Sequence, residues 1–278
     1  MEYAESRAYQ AGDEIRHMDW RVTARTARPH TKQFHEERER PVMLLLPFSQ
    51  SLFFGTRVRF KSVQTARVAA VLAWKSCALG HRVGALCSRA GQHQECKPTA
   101  GERGVLDVLR ALARMGRHGF PGEPDHDRLG PDARPGDAAR EATDDDAGLL
   151  TRTLEQAGRL IRPASEVVLL CDWLQLDDTH QTLLGRLRER ADLLLVQVAD
   201  PIERQPPPAG RYPITDGLHG CILDTEDEAV NEAYKALLET RLERTRGLCA
   251  RLGIRHVLIM TDDDPLLGLH GAVADARP

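Results

Sequence analysis

The apolar and polar positions divide the chain into a polar front segment and a longer run of alternating strand-like and helix-like blocks. Val42 to Leu46 is a continuous apolar run, the mark of a strand covered on both faces. After a loop at Ser49–Gly55, the stretch KSVQTARVAAVLAWKSCALG places Val63, Ala66, Ala70, Leu72, Ala73 and Cys77 near helical spacing, with Gly80 as the stop. VGALCS reads as a strand, with a partner strand around Glu95–Pro98, and GERGVLDVLRALARMG as an amphipathic helix. Further on, helix 147–161 leads to strand EVVLLCD, and helix 177–190 leads to strand ADLLLVQVAD. The turn-rich segment 201–217 precedes a short strand GCILD, the long helix 226–251, strand RHVLIM and a last helix from Pro265. Repeated strand–helix–strand crossovers predict an α/β fold with a doubly wound, mostly parallel sheet.

Two segments break this rhythm. Residues 1–40 carry no long apolar run. Alternation at Ile15, His17 and Asp19, and again at Arg21, Thr23 and Arg25, predicts short extended pieces. The segment reads as an arm or hairpin packed on the main domain and anchored by Tyr9, Ile15, Met18, Trp20 and Phe34. Residues 116–146 are rich in Gly, Pro and Asp, which predicts a flexible loop or insertion within the α/β domain of residues 41–278.

Composition narrows the classes. A net charge of −3 implies neither a nucleic-acid groove nor an anionic-membrane surface. The cysteines Cys77, Cys87, Cys96, Cys171, Cys221 and Cys249 form no CxxC pair, and they read as small buried hydrophobes in a reducing compartment. No stretch approaches the ~20 apolar residues of a membrane span. The polar N-terminus does not resemble a signal peptide, so a cytoplasmic protein is expected. Phosphate-loop, dinucleotide-fingerprint, nucleophile-elbow and HExxH motifs are all absent from the sequence, which points away from an enzyme. The weak metal-like strings, Asp125-His126-Asp127 and His30/His35 with Glu36 and Glu37, read better as solvated loop and charged face.

Two constellations carry chemistry. GDEIRHMDWRVTAR sets Asp13, Arg16, Asp19, Arg21 and Arg25 around Ile15, Met18 and Trp20. Such carboxylates and guanidinium groups can pair internally, or they can present a docking surface for a partner. The second is PFSQS at 47–51, at the end of the first core strand, with Asp172 ending another. Ligands of open parallel sheets bind outside the carboxyl ends of strands. Ser49, Ser51 and Asp172 together could hold a hard cation such as Mg²⁺. The structural alternative is that the serines satisfy turn and helix-start donors, and that Asp172 caps a turn.

These segments resemble domain-of-unknown-function family 58, bacterial proteins with a von Willebrand factor A-like fold. The resemblance rests on RAYQAGDEIRHMDWRVTAR at 7–25, EERER at 36–40 and PFSQSLFFG at 47–55, and it extends to TDDDPLLGL near the end. It implies a Rossmann-like three-layer sandwich and a protein-binding role, in many relatives through a metal-ion-dependent adhesion site. It also implies a MoxR-type AAA+ ATPase as partner, and a chaperone-like or complex-assembly context. The site carries over to Ser49, Ser51 and Asp172, but Pro47 stands where the family's leading Asp is expected. Thr143, Thr151 and Thr153 lie out of register for the site's Thr. One carboxylate and two hydroxyls make a poor Mg²⁺ site, so the expected site is degenerate. Asp13, Arg16, Asp19, Trp20, Arg25, Ser49 and Ser51 are the expected partner-binding residues. Two rival expectations are a metal-dependent hydrolase or nuclease using Asp172, Asp177 and Asp178, and a scaffold whose metal site has decayed.

Overall fold

The computed structural model describes residues 2–10, 13–35, 39–89, 91–117, 148–215 and 220–274. The chain forms two compact units, Met1–Glu39 and Arg40–Pro278. The Gly/Pro-rich segment from residue 118 onward, with Asp125, His126, Asp127 and Thr143, lies outside the described residues, as do Glu36 and Glu37.

In the first unit, β1 (Glu2–Ala8) pairs antiparallel with β2 (His30–His35). Between them lie a 3₁₀ turn at Ile15–His17 and a short helix, α1 (Trp20–Thr26). The extended pieces expected at Ile15–Arg25 are therefore helical. Asp19 decides this, because its Oδ1 accepts the backbone N–H groups of Arg21 and Val22, both at 3.1 Å. That cap satisfies helix-start donors which alternation of Arg21, Thr23 and Arg25 cannot. Ile15 and Trp20, read as anchors, are 67 and 66 % exposed.

The second unit is built on six strands: β3 (Pro41–Pro47), β4 (Arg82–Arg89), β5 (Gln92–Thr99), β6 (Ser165–Cys171), β7 (Ala191–Ala199) and β10 (Arg255–Met260). Their order across the sheet is β10-β7-β6-β3-β4-β5, and all neighbours are parallel except β4 and β5. β8 (Arg211–Thr215) and β9 (Gly220–Asp224) form a separate hairpin, so part of the segment read as turns is a strand. From β3 the chain winds outward through β4 to β5, then returns to lay β6, β7 and β10 on the opposite side of β3. That reversal makes the carboxyl ends of β3 and β6 a topological switch point.

Side chains of β3 alternate between two cores. Val42, Leu44 and Leu46 pack with α2 (Lys61–Ala78), α3 (Gly101–Arg117) and Leu269 of α7 (Pro265–Ala274). Met43 and Leu45 pack with α4 (Leu149–Leu160), α5 (Gln181–Arg188) and the end of α6 (Glu228–Leu252). A mixed α/β fold with helices on both sheet faces results, as the apolar runs of β3, β6 and β7 require. Cys87, Cys96, Cys171 and Cys249 are buried, Cys77 is half-buried and Cys221 is exposed. Burial pushes the Cys87 thiol up to about 12 and that of Cys249 to about 11, as expected of packing residues. Among the described residues, no helix is long and apolar enough to cross a membrane.

Candidate functional site

The parallel strands bring their carboxyl ends to one crest. β3 pairs with β6 only as far as Leu45–Leu169, whereas its pairing with β4 continues to Pro47–Ser88. The ends of β3 and β6 therefore part, and Gln175 bridges the opening. Its Nε2 donates to the Pro47 carbonyl at 2.9 Å, and its Oε1 accepts the Asp172 N–H at 3.2 Å. Pro47, lacking an N–H, thus contributes its carbonyl to the crest.

At the centre lies a side chain that the apolar pattern concealed. Lys61, the first residue of α2, is fully buried. Its Nζ donates to Asp172 Oδ2 at 2.9 Å and to Glu203 Oε1 at 2.7 Å. The Asp172 side chain is 0 % exposed and that of Glu203 13 %. Asp172 Oδ1 accepts the N–H groups of Leu174 and Gln175 at 3.1 and 3.2 Å, so Asp172 does cap a turn. Glu203 Oε2 accepts the Asp200 N–H at 2.8 Å. Burial works to lower the Lys61 pKa, but the charges of Asp172 and Glu203 and their hydrogen bonds outweigh it, holding the ammonium above 10.5. Burial lifts Glu203 above 4.5 despite the neighbouring Lys61 charge, as befits two carboxylates sharing one cation.

Asp200, at the end of β7, anchors a second part of the crest. It is fully buried, and it accepts the Thr56 N–H and the Thr261 hydroxyl at 2.9 Å each, the Ile202 N–H at 3.2 Å, and the Thr56 hydroxyl. Burial raises its pKa, but these donors together hold it below 3.8. Arg59 and Gln64 tie the start of α2 to the end of β10. Arg59 Nη1 donates to the Thr261 carbonyl at 2.7 Å, and Gln64 Nε2 to the Met260 carbonyl at 2.9 Å.

The expected site residues separate into groups. Ser49 and Ser51 share a hydrogen bond of 2.7 Å, and Ser49, which precedes a 3₁₀ turn, makes no side-chain cap there. Asp172 turns instead to Lys61. Thr151 contacts His180, and Thr153 bonds back to Leu149 within α4. These residues do not suit a resident Mg²⁺, because the serine hydroxyls face each other, Asp172 is held by an ammonium and Pro47 has no carboxylate. Among the described residues, no group of three His, Cys, Asp or Glu side chains could hold a metal ion. Asp177 binds Thr179 and His180 while Asp178 pairs with Arg251 at 3.0 Å, so the three acids of the hydrolase reading serve separate partners. Beside Asp178, a groove of about 200 Å³ is lined by Trp173, Leu174, Arg241, Arg244 and Leu248.

In the first unit, Asp13 pairs with Arg7 at 2.7 Å and Asp19 accepts the Ser6 hydroxyl at 2.6 Å. These two signature carboxylates are used internally. Arg16, Trp20 and Arg25 stand exposed, Arg16 reaching Glu14 at 3.5 Å.

Two outcomes follow for the crest. Lys61→Met leaves Asp172 and Glu203 buried without their cation, and urea denaturation is expected to show a loss of about 3–5 kcal/mol. Asp200 has a folded pKa below its unfolded value, so its contribution is complete above about pH 4 and is lost as pH falls through the folded value. Asp200→Asn is therefore expected to lower the thermal midpoint at pH 7, with a shallower further loss than wild type between pH 4 and 3.

The DUF58 family model, described as a protein of unknown function, matches residues 5–244. Uncharacterized proteins of Mycobacterium tuberculosis (Rv1480) and Mycobacterium bovis (Mb1516) are each 29 % identical over 278 residues, covering 99 % of this chain and 80 % of theirs. Among solved structures, a conserved hypothetical protein, BatB, from Bacteroides thetaiotaomicron aligns over 84 % of this chain and 96 % of its own, with TM-score 0.45 and 12 % identity. An uncharacterized membrane-spanning protein from Vibrio fischeri aligns over 85 % of this chain and 97 % of its own, with TM-score 0.20 and 12 % identity. With the signature segment and the core strands β3 to β7 inside the matched region, this chain belongs to the DUF58 family.

Proposed function

We propose that the chain is a non-enzymatic protein-interaction module of von Willebrand factor A-like build, working with a MoxR-type AAA+ ATPase in complex assembly. The observation that carries this reading is the fate of the crest carboxylates. Asp172 and Glu203 are spent on Lys61, and Asp200 on two threonines and backbone amides. A general acid, base or metal ligand must be free to meet a substrate, and these groups are buried against internal donors. The same edge also presents apolar side chains outward, among exposed charges such as Arg57, Asp262 and Asp264. Phe54 and Val58 follow β3, Leu174 follows β6, and Leu266 and Leu267 open α7 after β10, all 42 to 74 % exposed. Apolar side chains at a sheet edge suit a protein partner better than a small polar substrate. Ser49 and Ser51 lie at this edge, and Arg16, Trp20 and Arg25 would supply a second contact on the N-terminal unit. Binding in this form needs no tightly held metal, and a cytoplasmic setting agrees with it.

The test is capture of the purified MoxR-type ATPase of the same genome by the immobilised chain, in the presence of ATP. Binding is expected, and Leu174→Asp and Trp20→Ala are each expected to weaken it about tenfold or more. Absence of binding with and without ATP contradicts the reading and favours the scaffold.

A further inference from the structure

We infer that Lys61 is the crest's built-in cation: its ammonium holds, as part of the chain, the place between Asp172 and Glu203 that a divalent ion would take if the amine were removed.

Both carboxylates are fixed independently of the lysine. Asp172 Oδ1 is held by the Leu174 and Gln175 amides, which leaves Oδ2 toward Nζ. Glu203 Oε2 is held by the Asp200 amide, which leaves Oε1 toward Nζ. Two hard oxygens, one from the end of β6 and one from the turn after β7, thus converge on one point, and water would have to complete the shell of an ion there. The cation found there is Nζ, at 2.9 and 2.7 Å. Its location is costly by other measures. Lys61 opens an 18-residue helix, where the dipole disfavours positive charge, and it has no exposure to water. Only the paired carboxylates explain a lysine in that place; the Phe54 ring, 5.7 Å from Nζ, adds a weak cation–π contact. One positive charge against two negative ones also leaves the cluster one charge short of neutrality, a deficit that a divalent ion would close.

The inference rests on the crest being the binding edge proposed above, but metal uptake is read separately from partner capture, so either can fail alone. MnCl₂ and MgCl₂ are titrated by calorimetry into wild type, Asp172→Asn, Lys61→Ala and Lys61→Ala/Asp172→Asn, with thermal midpoints measured in parallel. Wild type is expected to show no saturable binding at millimolar metal. Lys61→Ala is expected to bind one Mn²⁺ and to gain about 3–6 °C at ten times Kd. The double variant should lose at least tenfold in that affinity. Saturable binding by wild type that Asp172→Asn abolishes overturns the inference, as does a folded Lys61→Ala indifferent to metal. Should Lys61→Ala not fold, the urea midpoint of Lys61→Gln, which fills the space without a charge, is read instead, and its indifference to Mn²⁺ also overturns the inference.

Discussion

A lysine ammonium buried between two carboxylates holds together the carboxyl edge of this sheet. Transfer of each such ion out of water costs several kcal/mol, and only close pairing with full hydrogen bonding offsets it. Here the pairing is close, and the carboxylates' second oxygens are occupied by backbone amides. Three elements meet at this point: the start of α2, the loop after β6 and the turn after β7. Neutralising Lys61 leaves two carboxylates inside the protein without a cation.

The switch-point topology explains why the trio sits where it does. Parallel strands direct all their following loops to one edge, so Asp172, Asp200 and Thr261 arrive together although they are distant in sequence. The early end of β3–β6 pairing opens the crevice, and Gln175 closes it against the Pro47 carbonyl. Lys61, Asp172 and Asp200 are thereby turned inward. The loops keep an apolar face for contact, the combination from which a binding role is argued.

Much of this frame was legible in the sequence. Continuous apolar runs marked β3, β6 and β7, because strands covered on both faces need apolar residues at every position. Asp172 was legible as an acid ending such a run, and Asp200 carries the same signal at the end of ADLLLVQVAD. Lys61 was hidden for a physical reason. Periodicity takes a polar residue as solvent-facing, yet the buried face of α2 runs through Lys61, Gln64, Thr65, Val68, Leu72 and Ser76, while Val63 is exposed. Lys61 lies in phase with Val68 and Leu72, which is the clue that a core stripe begins on a charge. Glu203 was hidden in a turn-rich segment, where acids are ordinary. In the N-terminal unit, alternation suggested strand, and the cap supplied by Asp19 decided for helix.

The charge on Lys61 holds this edge together, and NMR of the side chain reads it directly. In protein carrying ¹³C-labelled lysine, with the Lys61 signal assigned by its loss in Lys61→Met, the Cε shift is followed through alkaline pH. The folded pKa lies above the ordinary value, so stabilisation is full below pH 10.5 and is lost only as pH rises through the folded value. The predicted result is a Lys61 signal nearer its protonated than its deprotonated position at pH 10.5 while the protein remains folded. Deprotonation of Lys61 well below that pH would contradict the account.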